Sequence, residues 1–334
     1  MNSKKRKEDI VEHGHIHNLG ISTVIFFFVL IIFFNSAPII FSSSYNRFNS
    51  LVASFNSFNK KLLQNSLSKI NATQQERDYS SLQNVFVEAK SYVIYDVNNK
   101  KILASKNEDQ ILPLASLTKI VTAITAIKIA SEDTDIIIRK DYMRKDENLD
   151  IGMKVDQKWK LKELLKYALT VSSNSSMDII ASTVSSSNSS FVNSMNDYVK
   201  ELGFKNFNFK SASGLDYGDE IGGEGSALEY AKLFAKSYEL IPEIMSYTVN
   251  SKVNLDSGTK KIYQVPNTNQ KASSIIGLMA SKTGYTTAAG GNLAVLVNLD
   301  VNRPIVIVVL GSSLTGRFED VNRLHNAVEK IFQK

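Results

Sequence analysis

Two strand-like segments near the start of the folded part of this chain, and three near its end, constrain the architecture most. Ser91–Asp96 (SYVIYD) and Lys101–Ser105 (KILAS) flank Val97-Asn98-Asn99-Lys100, the pattern of a hairpin. Gly277–Lys282, Asn292–Leu299 and Pro304–Gly311 are also strand-like, and Asp300-Val301-Asn302-Arg303 joins the last two. Short connections make antiparallel neighbours, and a two-stranded ribbon is barely stable alone. The first two strands and the last three therefore have to meet in one sheet. Between them the chain reads as helical from about Ser116 to Ala227 and beyond. It closes with an amphipathic helix that places Val321, Leu324, Val328, Ile331 and Phe332 on one face. The expected fold class is α+β: an antiparallel sheet of about five strands flanked by helices, with a helical middle subdomain.

Composition narrows the chemistry. The 334 residues are 43% hydrophobic and 22% charged, as in ordinary globular proteins, which argues against wholesale disorder and polytopic membrane classes. There is no Cys, so disulfides, thiolate metal sites and Cys nucleophiles are excluded. Of the 4 His, His13, His15 and His17 precede an apolar run, and His325 stands near the C-terminus. A His-rich metal site in the body is therefore excluded, and only His325 is available to a Ser-His-Asp hydrolase. For a hydrolase, this composition points to a base other than histidine. The net charge of +6 shows no concentrated basic stripe, so nucleic-acid binding has no support.

The N-terminal segment reads as an export element. Lys4-Lys5-Arg6-Lys7 precede a stretch from Ile21 to Phe41 that carries no charge, roughly 30 Å as a helix and enough for one bilayer crossing. Basic residues ahead of the run keep residues 1–20 in the cytoplasm and place the rest outside. A good small-x-small cleavage site is lacking, and Pro38 falls where one would be needed. That favours a transmembrane signal-anchor over residues 21–41, with a cleaved signal peptide as the competing reading. Residues 42–87 are rich in Ser, Asn, Gln and Lys. In them Phe48, Leu51, Phe55, Phe58 and Leu62 form a helical stripe, read either as a stalk or as a helix packed on the domain or on lipid headgroups. The folded domain is expected to span residues 88–334.

Three short motifs carry chemistry. Ser116-Leu117-Thr118-Lys119 opens an apolar helix just after Pro113. Ser116 sits in its first turn, and Lys119 lies one turn further along the same face. Burial removes water from an ammonium and favours the neutral amine, which beside a serine hydroxyl can act as general base. The backbone N–H of Ser116 at the helix start can stabilise an oxyanion. The spacing alone is weak: Ser57/Lys60, Ser66/Lys69 and Ser257/Lys260 repeat it, but only the Ser116 copy opens a buried helix. Ser172-Ser173-Asn174 follows the amphipathic stretch Leu161–Leu169. Its hydroxyl and amide can reach Lys119 and a substrate carbonyl, although Ser-x-Asn also occurs at Ser44, Ser186 and Ser194, and helix capping would explain it. Lys282-Thr283-Gly284-Tyr285-Thr286 ends a late strand. There Lys282 and a Thr hydroxyl can hold a carboxylate, Gly284 allows close backbone approach to a ligand, and the Tyr285 N–H can supply a second oxyanion donor.

Order turns three weak signals into one. Ser-x-x-Lys, then Ser-x-Asn 56 residues later, then Lys-Thr-Gly 110 residues after that, is the arrangement of the penicillin-recognising serine enzymes. At these residues the chain resembles the D-alanyl-D-alanine carboxypeptidases, low-molecular-mass penicillin-binding proteins. The likeness covers roughly residues 88–312. It includes Pro113–Ile120 (PLASLTKI), Phe191–Asn196 (FVNSMN), Glu201-Leu202-Gly203 and Ser213-Gly214-Leu215-Asp216. It implies the serine β-lactamase/transpeptidase-like fold, Ser116 as acyl-enzyme nucleophile, Lys119 as its base and Ser172 as proton relay. Asn174 would position substrate, Lys282 and Thr283 with Thr286 would bind its terminal carboxylate, and the N–H groups of Ser116 and Tyr285 would form the oxyanion hole. The implied reaction removes the terminal D-Ala from peptidoglycan stem pentapeptides, with β-lactams as covalent inhibitors and no metal or cofactor. The implied location is the outer face of a bacterial cytoplasmic membrane.

Two departures stand out. Ser173 replaces the usual Gly of the second motif, and Ser175-Ser176 follow it, which is expected to alter loop contacts rather than the chemistry. Many relatives add a C-terminal β-domain and amphipathic helix, in whose place the N-terminal segment is expected to anchor this chain. A class A β-lactamase would add a Glu-x-x-Leu-Asn loop for its deacylating water, and none occurs between Asn174 and Lys282. A D,D-endopeptidase acting on crosslinks has nearly the same motifs, and a non-catalytic β-lactam or wall-peptide sensor is the third alternative.

Overall fold

Strands β1 (Ser91–Asp96), β2 (Lys101–Lys106), β3 (Leu278–Thr286), β4 (Gly290–Asn298) and β5 (Pro304–Ser312) form one sheet. Its order is β3-β4-β5-β1-β2, with every neighbouring pair antiparallel. The N-terminal hairpin joins the three late strands through β1 and β5, with Ser91 opposite Leu310 and Asp96 opposite Ile305. This computed structural model describes residues 52, 54–61, 77–142, 153–256, 262–300 and 302–333. The basic segment and the apolar run expected to cross a membrane lie outside the described residues. Among the described residues no helix is long and apolar enough to cross a membrane. Residues 52 and 54–61 are helical, with Phe55 and Phe58 exposed. Phe48, Leu51 and Leu62, the rest of that stripe, lie outside the described residues.

Both faces of the sheet are covered, which explains why β5 reads as a continuous apolar run rather than an alternation. Val93, Tyr95, Leu296, Val306 and Val308 face one core, shared with helices α1 (Lys119–Ile129), α2 (Leu161–Val171), α3 (Asn174–Val184), α4 (Asn188–Glu201) and α5 (Ala227–Leu240). Tyr92, Ile94, Val295, Ile307 and Val309 face a second core with Val321, Leu324, Val328 and Phe332 of α6 (Gly316–Phe332). Period-two alternation along each strand assigns neighbouring residues to opposite cores. Asp96, fully buried, fixes the junction of the two hairpins. It accepts Asn99 N at the first turn and Arg303 Nε and Nη2, at 3.1 and 3.0 Å, from the segment between β4 and β5.

Three expectations need correction. The compact body takes in residues from Arg77, ahead of Glu88. Leu82 in the turn Ser80–Asn84 is fully buried in the second core, and Tyr79 meets Arg303, so residues 77–87 belong to the body rather than to a stalk. A further hairpin, Lys252–Asp256 with Ile262–Pro266, is absent from the sequence expectations; its alternating buried and exposed residues are masked by polar positions and a proline. Finally, β3 runs on past the expected limit at Lys282, because pairing with β4 continues to Thr286 opposite Gly290; Lys282-Thr283-Gly284-Tyr285-Thr286 thus forms the end of the strand itself.

Candidate active site

Ser116 lies in a single 3₁₀ turn, Ala115–Thr118, that leads into α1. Ala115 takes φ +50, a left-handed conformation costly for a residue with a Cβ. Neighbouring groups hold the turn in place. Tyr230 on α5 donates its hydroxyl to Leu117 O at 2.8 Å, and Asn292 on β4 donates to Pro113 O at 2.9 Å. Strand β3 runs directly alongside. A Cβ at Gly284 would stand 2.8 Å from Leu114 O and 3.3 Å from both Ser116 N and Leu117 N. The close approach anticipated at Gly284 is therefore to the serine's own turn, and it brings the backbone of Tyr285 next to Ser116. As an edge strand, β3 presents alternate backbone N–H groups away from β4. The Tyr285 side chain itself is 48% exposed.

Lys119, on the first turn of α1, is fully buried. Its Nζ lies 2.7 Å from Ser116 Oγ and donates to Asn174 Oδ1 at 2.6 Å and Ser213 O at 2.7 Å. The amide and carbonyl oxygens can only accept. They engage two N–H groups, so a neutral amine here turns its lone pair to the serine hydroxyl. That is the geometry a general base requires.

Ser172 terminates α2 in the left-handed region, at φ 62 and ψ 36. Strain of this kind, about 1–3 kcal/mol, persists where surrounding contacts hold it. Here Lys282 Nζ donates to Ser172 Oγ at 2.9 Å and to Thr283 O at 2.8 Å. Ser173, which departs from the family pattern, is the N-cap of α3. Its Oγ accepts Ser176 N at 3.1 Å and the Ser176 hydroxyl at 2.9 Å. The substitution thus provides a cap and leaves Asn174 as the first residue of α3, against Lys119. Thr283, 3% exposed, donates to Thr268 Oγ1 at 2.7 Å, and Thr286 Oγ1 accepts Ala289 N at 3.1 Å across the β3–β4 turn.

Sequence reasoning missed four participants. Ser213 contributes only its carbonyl, which no side-chain motif reveals, although Ser213-Gly214 lies within a family-like stretch. Thr268 is isolated in sequence. Thr248 pairs with Ser281 on β3, accepting its N–H and hydroxyl at 2.8 Å each. Arg317 on α6 donates to Gly284 O at 2.7 Å through its Nη1. His325, the one histidine of the body, bonds Ile276 O from α6 and does not join this cluster. Among the described residues no group of His, Asp or Glu is arranged to hold a metal ion.

The cluster is electropositive. Lys282 is 1% exposed, and its bonded partners are a hydroxyl and a carbonyl. Burial pushes its ammonium well below the usual lysine range, and the positive charges of Lys119, when that amine is protonated, and of Arg317 push it the same way. The folded state therefore binds the Lys282 proton less tightly than the unfolded chain does. Stability associated with this residue falls as pH drops below the ordinary lysine value of about 10.4 and is recovered as pH rises to it. Lys282→Met is expected to melt above the parent at neutral pH, with the difference shrinking toward about pH 10. A difference that stays constant with pH would refute this account.

Comparison with known proteins agrees with the geometry. A family model described as D-alanyl-D-alanine carboxypeptidase matches residues 77–313, starting at the first residue of the compact body. D-alanyl-D-alanine carboxypeptidase DacF of Bacillus subtilis (strain 168) is 30% identical over 243 residues, 71% of this chain and 61% of that protein. A D-alanyl-D-alanine endopeptidase of Haemophilus influenzae is 29% identical over 219 residues, 62% of this chain and 70% of its own length. Penicillin-binding protein D2 of Listeria monocytogenes, solved in its ampicillin-bound form, superposes with a TM-score of 0.65 at 26% identity, covering 73% of this chain and 98% of that one. The chain spans only 61% and 57% of the first two curated relatives it matches. The buried lysine against a helix-borne serine, the strand-borne lysine opposite it and the matched span from Arg77 agree: the chain belongs to the D-alanyl-D-alanine carboxypeptidase family.

Proposed function

We propose that this chain is a serine D,D-carboxypeptidase that removes the terminal D-Ala from peptidoglycan stem pentapeptides and is acylated by β-lactams. The observation that carries the reading is the 2.7 Å approach of Lys119 Nζ to Ser116 Oγ, with two obligate acceptors holding its N–H groups. Lys119 takes the Ser116 proton as Oγ attacks the penultimate D-Ala carbonyl. The developing oxyanion lies between the N–H groups of Ser116 and Tyr285. Collapse breaks the peptide C–N bond, and the leaving amine takes a proton passed through Ser172, which Lys282 orients. Water, deprotonated in turn, attacks the ester, releases the shortened peptide and restores Ser116. Asn174 holds Lys119 and faces the substrate, while Lys282 and Thr283, with Thr286 beside them, serve the terminal carboxylate. The cleavage uses only these side chains and water, with no cofactor.

Residues 21–41 would anchor the protein in the cytoplasmic membrane, residues 42–76 would link, and the catalytic body from Arg77 would work outside. The charge-free length of the run and the basic residues ahead of it support this placement.

Incubation with benzylpenicillin is expected to add the mass of one penicillin to the intact protein, to map to Ser116, and to be lost only slowly. Rapid turnover of a chromogenic β-lactam would instead favour a β-lactamase. Release of D-Ala from a pentapeptide, compared with cleavage of crosslinked muropeptides, separates carboxypeptidase from endopeptidase. Penicillin binding by a wild type that releases no D-Ala from either would mark a sensor.

A further inference from the structure

Thr268 follows the second hairpin and bridges two parts of the candidate site. Its backbone N–H donates at 3.0 Å to Thr170 O, two residues ahead of Ser172. Its hydroxyl accepts the Thr283 hydroxyl at 2.7 Å. The Thr283 hydroxyl is thus already committed, and that residue is 3% exposed. Thr268 is the more accessible of the two. Its own proton reaches an acceptor, Thr170 O, only at 3.4 Å, near the limit for a hydrogen bond. An incoming anion would find a better use for that proton than the contact it leaves. Lys282, the neighbour of Thr283 on β3, supplies the positive charge.

We infer that Thr268 is a specificity-determining residue for the proposed reaction: its hydroxyl, paired with that of Thr283, receives the free terminal carboxylate of the substrate. The two hydroxyls stand side by side, as the two oxygens of a carboxylate require, and each can donate to one of them. Thr283 gives up its bond to Thr268 when the anion arrives, and Thr268 gives up its long contact to Thr170. This inference rests on the carboxypeptidase reading and adds to it the residue that distinguishes a free carboxylate from a blocked one.

The test compares full-length wild type, Thr268→Val and Thr268→Ser on diacetyl-L-Lys-D-Ala-D-Ala and on its C-terminal amide. Valine keeps the shape and removes the hydroxyl. One hydrogen bond to a charged group corresponds to a loss of about tenfold or more. Thr268→Val is expected to lose that factor in kcat/KM on the free acid, mainly through KM, and to leave the amide unaffected, so the acid-to-amide ratio collapses. Thr268→Ser is expected to recover most of the loss. Acylation by benzylpenicillin against its methyl ester, followed by intact mass, gives the same ratio independently of turnover. Equal losses on acid and amide, or a loss confined to kcat, would overturn the assignment, because they would show Thr268 acting only by holding Thr170 and Ser172. Unchanged kinetics would overturn it as well. If Thr268→Val does not fold, Thr268→Ala is read by the same ratio. A wild type that releases no D-Ala removes the carboxypeptidase reading, and this assignment falls with it. A wild type that does, alongside an unchanged acid-to-amide ratio in the variant, removes this assignment alone.

Discussion

Replacing Lys119 with Met is expected to lower D-Ala release by about four to six orders of magnitude, as loss of a nucleophile or its base does in serine hydrolases. Methionine has a comparable unbranched side chain, so the volume inside α1 is kept while Nζ is lost. Asn174 Oδ1 and Ser213 O then lose a buried donor, which costs about 1–3 kcal/mol for each group left unpaired. The fold should survive, since Leu117, Ile120, Val121 and Ile124 around it remain fully or almost fully buried in the core. Ser116→Ala should be equally inactive, and the double variant no worse than either, because the two residues act on one proton. Steady-state D-Ala release and penicillin labelling, with circular dichroism as the check on folding, measure this. A Lys119→Met protein retaining more than about one hundredth of wild-type activity would exclude the lysine as base.

The second large effect belongs to a residue that touches no substrate. Gly214 takes φ +75, and a Cβ there would stand 2.0 Å from Ala115 O and 2.7 Å from Thr118 Cβ. Neither neighbour is the far end of a flexible side chain, so one of the two backbones has to move. Gly214→Ala is expected to lose about 2–4 kcal/mol of stability, combining left-handed strain with overpacking. It is also expected to lose at least about 10²-fold in activity, because movement of Ala115 shifts Ser116, and movement of Gly214 draws Ser213 O away from Lys119. Denaturant melts and penicillin acylation rates on one preparation test both. An alanine variant that melts like the parent would show that the turn can relax.

Much of this was legible in the residues. The five strands could be read because β-branched runs are short and bounded by turn residues, and the closing helix because its apolar positions follow a helical period. Ser116 and Lys119 were legible because three residues bring both to one face, and local spacing is what sequence expresses directly. The illegible parts share a cause. Ser213 acts through a carbonyl, which every residue has. Thr268 stands 15 residues ahead of Thr283 and carries no motif. Arg317 reads as the start of an amphipathic helix, and only packing aims Nη1 at Gly284 O. Residues 77–87 looked like linker because one buried Leu and a Tyr–Arg contact leave no periodic trace.

The sequence by itself determined the sheet's membership, the apolar helix that bears Ser116 and Lys119, the absence of cysteine, and the scarcity of histidine in the body. Those properties follow from residue type and local period. Tertiary structure alone decided that Lys282 reaches Ser172, that Asn174 and Ser213 share the N–H groups of Lys119, that β3 lies tight against the turn of Ser116 at Gly284, and that Thr268 pairs with Thr283. Each of these joins atoms brought together by the closing of a sheet against a helical layer, and the distance between them is set by packing, which has no period along the chain.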